Sequence, residues 1–130
     1  MDGQGRIAMR QPTILVVDDE IDFLETIVNR LRKRGMAAEG VDNGREAIRR
    51  IVETPFDVVL LDIKMPGGMD GIEVLRQIKE QRPETEVILL TGHASVETSL
   101  EGMELGAFDY LLKPMRFEEL LKKIAVALEK

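Results

Sequence analysis

Four short apolar runs occur along this chain, and each one ends at a polar or charged residue. The runs cover residues 14–17, 58–61, 87–90 and 110–112. The residues that follow them are Asp18 and Asp19, then Asp62, Thr91 and Lys113. Because open α/β sheets bind ligands at the carboxyl ends of their parallel strands, these side chains are predicted to share one crevice. Carboxylates, a hydroxyl and an ammonium in one crevice suit a hard divalent cation and a phosphoryl group.

Predicted strands and helices alternate along the chain. The strands cover residues 13–18, 36–41, 57–61, 86–90 and 108–112, and the helices cover 20–34, 44–53, a segment that ends before Pro83, 95–105 and 116–128. The second strand contains Glu39 and Gly40 and is expected at an edge of the sheet. The third is apolar through its centre, which is typical of a strand covered on both faces. Short connections between these units predict an α/β fold with a doubly wound, five-stranded parallel sheet and helices on both faces.

Helical spacing of apolar residues predicts which helix faces are buried. The inward positions are Ile21, Leu24, Ile27, Val28 and Leu31 in the first helix, Ala47, Ile48, Ile51 and Val52 in the second, Val74, Leu75 and Ile78 in the third, and Phe117, Leu120, Leu121, Ile124 and Leu128 in the fifth. The methionines Met65, Met69, Met103 and Met115 are interpreted as flexible fillers of core gaps rather than as ligands.

Length and charge restrict the function classes. The 130 residues suffice for one domain, which we place at residues 13–130, after a polar, loose leader at residues 1–12. A formal charge of −6 argues against direct nucleic-acid binding, which needs clustered Lys and Arg. The chain lacks cysteine, an apolar stretch of about twenty residues and a secretory signal, so a cytoplasmic protein without a membrane segment is expected.

The ordered set of motifs resembles the signature of response-regulator receiver domains of two-component signalling. The resemblance rests on Asp18-Asp19, the segment 62–71, Thr91-Gly92 and Lys113-Pro114, and it runs from about Thr13 to the C-terminus. It implies a flavodoxin-like fold with strand order 2-1-3-4-5. One motif alone would be weakly specific, but several in the correct order are highly specific.

The resemblance also implies a chemical role for the acidic residues. Asp62 would accept a phosphoryl group from a histidine kinase or a phosphotransfer protein. Mg²⁺ would be bound by Asp19 and Asp62, by Asp18 mainly through water, and by the backbone carbonyl of Lys64. General chemistry supports this role, since a carboxylate acts as a covalent nucleophile when nearby charge is neutralised and the phosphoryl group is held in line.

The remaining motif residues receive implied roles in the same way. Lys113 would place a second positive charge on the phosphoryl group, and Thr91 would donate a hydrogen bond to it. Tyr110 matches the aromatic switch residue of the family, and the Lys113–Pro114 peptide bond is expected to be cis. His93, the only histidine, is expected at the rim of the site without a role in chemistry.

Phosphorylation is expected to change the face formed by the fourth helix, the fifth strand and the fifth helix. The acidic residues there are Glu97, Glu101 and Glu104, and the basic residues are Arg116, Lys122 and Lys123. Opposite charges on one face can pair twice across a two-fold axis, which predicts a shift toward a homodimer or a partner-binding state.

Other interpretations of the same residues stay open at this stage. Asp18 and Asp19 could instead cap the first helix. A dehalogenase-type phosphatase would need a general acid two residues after its nucleophile, where Lys64 stands after Asp62, and a flavodoxin would need a phosphate loop without carboxylates. A phosphorylation-independent adaptor is a further alternative. The chain departs from the family in its loop at Gly67-Gly68, which is one residue longer than the usual spacing.

Overall fold

A computed structural model gives the fold and describes residues 10–66, 68–92 and 96–129. The strands in this part of the chain are β1 (Thr13–Val17), β2 (Ala37–Val41), β3 (Val58–Asp62), β4 (Glu86–Thr91) and β5 (Asp109–Leu112). The helices are α1 (Ile21–Lys33), α2 (Gly44–Glu53), α3 (Gly71–Gln81), α4 (Val96–Glu104) and α5 (Phe117–Leu128). The strands pair in parallel in the order β2-β1-β3-β4-β5. The predicted α/β fold, its strand order and the edge position of β2 are confirmed.

The sheet separates two apolar cores because alternate side chains of a strand point to opposite faces. Leu60 and Leu90 lie on the face that packs against α1 and α5. Leu61 and Leu89 lie on the opposite face, which packs against α2 and α3. All four side chains are fully buried. The central strands are therefore covered on both faces, as their unbroken apolar runs predict.

Three of the inward helix positions predicted from the sequence are wrong. Ile21 is 46% exposed, Val52 is 53% exposed and Leu128 is 37% exposed. Each lies in the first or last two residues of its helix and belongs to neither apolar core, so helical spacing alone does not ensure burial at a helix end. Ala127 is buried in place of Leu128 at the end of α5.

The segment before β1 was expected to be a loose leader, but its final residues contact the sheet. Arg10 donates a hydrogen bond of 3.0 Å to Asp57, and the Ala37 N–H donates one of 2.8 Å to the Pro12 carbonyl. Residues 10 and 12 thus contact the rest of the domain, while residues 1–9, most of the expected leader, lie outside the described part of the chain. None of the helices in the described ranges combines the length and the apolar character that spanning a bilayer requires.

Candidate functional site

The polar residues that follow the apolar runs meet at the carboxyl edge of the sheet. Asp18 comes directly after β1, and its N–H donates a hydrogen bond of 3.1 Å to the Val41 carbonyl of β2. Asp62 and Thr91 are the last residues of β3 and β4, one residue further than the sequence pattern predicts. The Lys113 N–H donates to the Thr91 carbonyl at 2.6 Å, so backbone pairing extends past β5. The strand termini thus bring these residues to one place.

Three carboxylates form the centre of the site. One oxygen each from Asp18, Asp19 and Asp62 lies within 4.8 Å of the others. Asp18 and Asp62 are buried, whereas Asp19 is exposed to solvent. Burial, reinforced by the charge of Asp18 and opposed by Lys113, raises the pKa of the Asp62 carboxyl to about 6. Hard oxygen donors surround one accessible point, and the positive charge nearby does not fully neutralise the buried Asp62 carboxylate. Both features fit the chemistry of Mg²⁺.

Lys113 carries the positive charge nearest to this cluster. Its Nζ donates a hydrogen bond of 2.7 Å to Asp18 Oδ2 and lies 3.8 Å from Asp62 Oδ2. Burial alone would lower the pKa of Lys113, but the hydrogen bonds and charges of Asp18, Asp62 and Glu20 together outweigh burial, and the pKa is raised. The ammonium therefore stays charged, and in this structure its shortest contact is to Asp18 and not to Asp62.

Two further contacts of Lys113 were missed from the sequence. Its Nζ donates to Glu20 Oε1 at 3.1 Å and lies 4.4 Å from the centre of the Phe23 ring. Glu20 directly follows the aspartate pair and Phe23 lies in the first turn of α1, so the sequence indicates that both lie near the site but not that they contact Lys113. Asp18 does not serve as the N-cap that one interpretation proposed; that position is Glu20, whose N–H donates to Asp18 Oδ1 at 2.9 Å.

Thr91, the last residue of β4, and Tyr110, on the neighbouring strand β5, have different surroundings. Thr91 is 1% exposed, and its hydroxyl donates a hydrogen bond of 3.1 Å to the Gly92 carbonyl. Tyr110 is half-buried and packs against the core between the sheet and the helices α2 and α3. The Lys113–Pro114 bond is cis, the isomer that the family resemblance implies.

The loop after β3 is held at both ends. The Lys64 N–H donates to Asp62 Oδ1 at 3.3 Å, while the Lys64 side chain is exposed. Asp70 caps α3 by accepting a hydrogen bond of 3.0 Å from the Glu73 N–H. The Gly67-Gly68 pair falls between these ends, and Gly67 itself lies outside the described residues, as do His93 and Ser95.

A comparison with protein families decides what kind of domain this is. The model of the response regulator receiver domain matches residues 14–125, which is most of the chain. The chain belongs to this family. The resemblance drawn from its motifs is confirmed, and the phosphatase and flavodoxin alternatives are set aside. A receiver domain of two-component signalling acts as a signalling module rather than as a catalyst of metabolic reactions.

Curated relatives of this receiver domain are longer regulators. It is 41% identical over 118 residues to the transcriptional regulatory protein ZraR of Klebsiella oxytoca, covering 91% of this chain and 26% of that protein. It is 38% identical over 117 residues to the transcriptional regulatory protein ResD of Bacillus subtilis, covering 90% of this chain and 48% of that protein. The chain thus spans about a quarter to a half of the length of these relatives.

Solved structures of similar proteins share the fold. The receiver domain of NtrX from Brucella abortus has a TM-score of 0.86 and 33% identity, with 90% of this chain and 98% of that chain covered. A CheY-like receiver domain protein from Methanospirillum hungatei has a TM-score of 0.88 and 33% identity, with 92% and 95% covered. These neighbours confirm the fold class of this receiver domain.

Proposed function

We propose that this receiver domain accepts a phosphoryl group on Asp62 in a Mg²⁺-dependent reaction. The phosphodonor would be a histidine kinase or a phosphotransfer protein, and the modified domain would change the face formed by α4, β5 and α5. The observation that carries the proposal is the position of Asp62, a buried carboxylate at the end of β3 between Asp18, Asp19 and Lys113.

In the proposed reaction, an Asp62 oxygen attacks the phosphorus of a phosphohistidine. The new bond is the O–P bond of an acyl phosphate, and the P–N bond to the histidine breaks. The imidazole nitrogen of the donor keeps that electron pair, so no oxidant or reductant is needed. A carboxylate in this role must be ionised, and the pKa of about 6 leaves Asp62 mostly ionised at neutral pH.

The acidic residues would hold the metal ion. Asp19 and Asp62, the backbone carbonyl of Lys64, and Asp18 through water would bind Mg²⁺, which supplies positive charge that neutralises the carboxylates and the phosphoryl oxygens. The chain itself supplies further positive charge through Lys113, 3.8 Å from Asp62 Oδ2. Thr91 would donate its hydroxyl to a phosphoryl oxygen and give up its bond to Gly92.

The output of the domain would follow from movement of Thr91. If this hydroxyl turns toward the phosphoryl group, the space beside it becomes available to Tyr110, which is half-buried on the neighbouring strand. The resulting change would reach α4 and α5, whose acidic and basic residues would then pair with a second copy or another partner. Lys123 already forms an ion pair with Asp109, so its use in a dimer requires that this pair breaks.

Any action on DNA would pass through another domain or a partner protein. The formal charge of −6 argues against direct contact with a phosphate backbone. The relatives that are transcriptional regulatory proteins contain additional length outside the matched region.

Intact-mass spectrometry after incubation with phosphoramidate and Mg²⁺ tests the proposal. We expect addition of one phosphoryl group, loss of that addition with EDTA, and no addition to Asp62→Asn. Asp19→Asn should raise the Mg²⁺ concentration that half-maximal phosphorylation requires. The exposed Asp42→Asn serves as the control for charge, since Asp42 lies outside the carboxylate cluster. Phosphorylation of Asp62→Asn at the wild-type rate would contradict the assignment.

A further inference from the structure

The ammonium of Lys113 is shared among several groups at the start of α1. Its Nζ lies 2.7 Å from Asp18 Oδ2, 3.1 Å from Glu20 Oε1 and 3.8 Å from Asp62 Oδ2. The Phe23 ring lies below it, with 4.4 Å between Nζ and the ring centre. Asp18, Glu20 and Phe23 therefore all contact the ammonium, and among the three carboxylates the proposed phosphoacceptor Asp62 is the most distant.

The two carboxylates that accept hydrogen bonds from Lys113 differ in how firmly they hold it. The Asp18 side chain is fully buried, and its Oδ1 is fixed by the Glu20 N–H. The Glu20 side chain is 68% exposed and accepts only from Lys113 among the described residues. An exposed ion pair is weak and easily broken, whereas a buried one is costly to break. Glu20 is therefore the partner that Lys113 can release at low cost.

We propose that Glu20 is a positioning residue that draws the Lys113 ammonium toward α1 and away from Asp62, and so lowers the rate at which Asp62 takes up a phosphoryl group. This inference rests on the proposed function of Asp62. It assigns a role to a residue outside the carboxylate cluster, on the exposed side of the site.

Competition for one ammonium explains the expected effect. A phosphoryl group on Asp62 brings anionic oxygens that attract Lys113, and each of them competes with the Glu20 carboxylate. Glu20→Gln keeps the size of the side chain and removes its charge, so less free energy is lost when Lys113 turns toward Asp62. The usual strength of an exposed ion pair corresponds to a gain of about two- to fivefold in the rate of phosphoryl uptake.

The substitution carries little risk for folding. Glu20 is the N-cap of α1, but its side chain makes no capping hydrogen bond there. Asp22→Asn is a matched control, because Asp22 is an exposed acidic residue in the first turn of the same helix. Both variants remove one negative charge near the start of α1. A general effect of charge would therefore appear in both, and an effect through Lys113 only in Glu20→Gln.

The first measurement is the rate of phosphoryl uptake from phosphoramidate with Mg²⁺, followed by intact mass. We expect a rise of about two- to fivefold for Glu20→Gln, the usual strength of an exposed ion pair, and no change for Asp22→Asn. A double-mutant cycle adds Lys113→Ala, in which the Glu20→Gln substitution should no longer change the rate. Equal rates for wild type and Glu20→Gln, or a rise that persists in the Lys113→Ala background, would overturn the inference.

The second measurement uses the metal-free, unphosphorylated protein and needs no activity. Side-chain ¹³C relaxation at the ε-methylene of Lys113 reports how firmly the ammonium is held. We expect greater mobility in Glu20→Gln and wild-type mobility in Asp22→Asn. If wild type takes up no phosphoryl group, the proposed function fails, but this measurement still tests the contact between Glu20 and Lys113. Unchanged Lys113 mobility in Glu20→Gln would overturn the positioning role.

Discussion

Gly71 packs against the backbone of Ile63 so closely that its position has no room for a side chain. An ideal Cβ on Gly71 would lie 2.5 Å from the Ile63 Cα and 2.6 Å from the Ile63 carbonyl oxygen. The Gly71 N–H donates a hydrogen bond of 3.1 Å to that same carbonyl. Because Ile63 directly follows Asp62, this contact fixes the two ends of the loop beside the proposed phosphoacceptor.

Gly71→Ala should therefore destabilise the domain. The added methyl group meets backbone atoms, which cannot move aside as the end of a side chain can, so we expect a loss of about 1–3 kcal/mol in the free energy of unfolding. Urea unfolding at pH 7 measures the loss. The matched control is Gly68→Ala in the same loop, where a Cβ would have no neighbour within 4 Å. That variant should stay within about 0.5 kcal/mol of wild type, and equal losses in both variants would contradict the packing explanation.

Asp62→Asn should stabilise the metal-free protein at neutral pH. Burial and the charge of Asp18 raise the folded-state pKa of Asp62 to about 6, above its usual 3.8. The stability associated with protonated Asp62 is thus fully present below pH 3.8 and is lost as the pH rises through about 6. The neutral amide avoids that loss, so we expect a gain of about 1–3 kcal/mol at pH 8 that falls toward zero near pH 4.

Urea unfolding in EDTA across that pH range measures the difference between wild type and Asp62→Asn. Asp42→Asn is the control, because Asp42 is an exposed acidic residue outside the cluster and should show no comparable trend. A gain for Asp62→Asn that is the same at pH 4 and pH 8 would show that ionisation of this carboxyl is not its cause.

Asp57→Asn should have the opposite dependence on pH. Partial burial alone would raise the pKa of Asp57, but hydrogen bonds from Arg10 and from the N–H and hydroxyl of Thr13 outweigh it and lower the pKa. The stability from ionised Asp57 is therefore present above its unfolded-state pKa and is lost as the pH falls through the lowered folded-state value. We expect Asp57→Asn to lose about 1 kcal/mol at pH 7.

The difference between Asp57→Asn and wild type should shrink as the pH falls below about 4, and urea unfolding from pH 7 to pH 3 follows it. Arg10→Gln is an informative companion variant. This substitution removes only the hydrogen bond from Arg10, whose side chain is 65% exposed. The effect of Arg10→Gln should therefore be smaller than that of Asp57→Asn. A larger effect of Arg10→Gln would mean that the contacts of Thr13 are not the main stabilising ones.

The positions of two strands could be predicted from local sequence patterns, whereas the full strand order was implied by the family resemblance. The apolar centre of β3 and the glutamate and glycine of β2 place these strands in the middle and at the edge of the sheet. The same periodicity failed for Ile21 and Leu128, since helical spacing alone does not ensure burial at a helix end.

The proximity of the candidate site residues could be predicted from the sequence, because the ends of parallel strands meet at one edge of a sheet. Which side chains hydrogen-bond to one another could not be predicted. The contact of Lys113 with Glu20 joins residues 93 positions apart, and it depends on how a flexible side chain settles between two carboxylates. The contact between Arg10 and Asp57 likewise depends on the path of the chain before β1.

Thr91→Ala should separate phosphorylation from its consequence. In the structure the Thr91 hydroxyl donates to the Gly92 carbonyl and is almost fully buried beside the site. A phosphoryl group on Asp62 would offer this hydroxyl stronger acceptors, and Tyr110 would fill the space that Thr91 leaves. With alanine at position 91 this link is missing. We therefore expect Thr91→Ala to bind beryllofluoride with Mg²⁺ but to lose the change at α4, β5 and α5.

Amide hydrogen exchange over residues 96–112, with and without beryllofluoride and Mg²⁺, measures that change, and light scattering measures any shift toward a homodimer. Wild type should show altered exchange in this segment, and so should the control Thr26→Ala, whose threonine is exposed on α1. Exposed ion pairs contribute little individually, so a dimer should be weak and its formation should decrease with added salt. Unchanged exchange in wild type, despite bound beryllofluoride, would show that the signal does not travel through Thr91 and Tyr110.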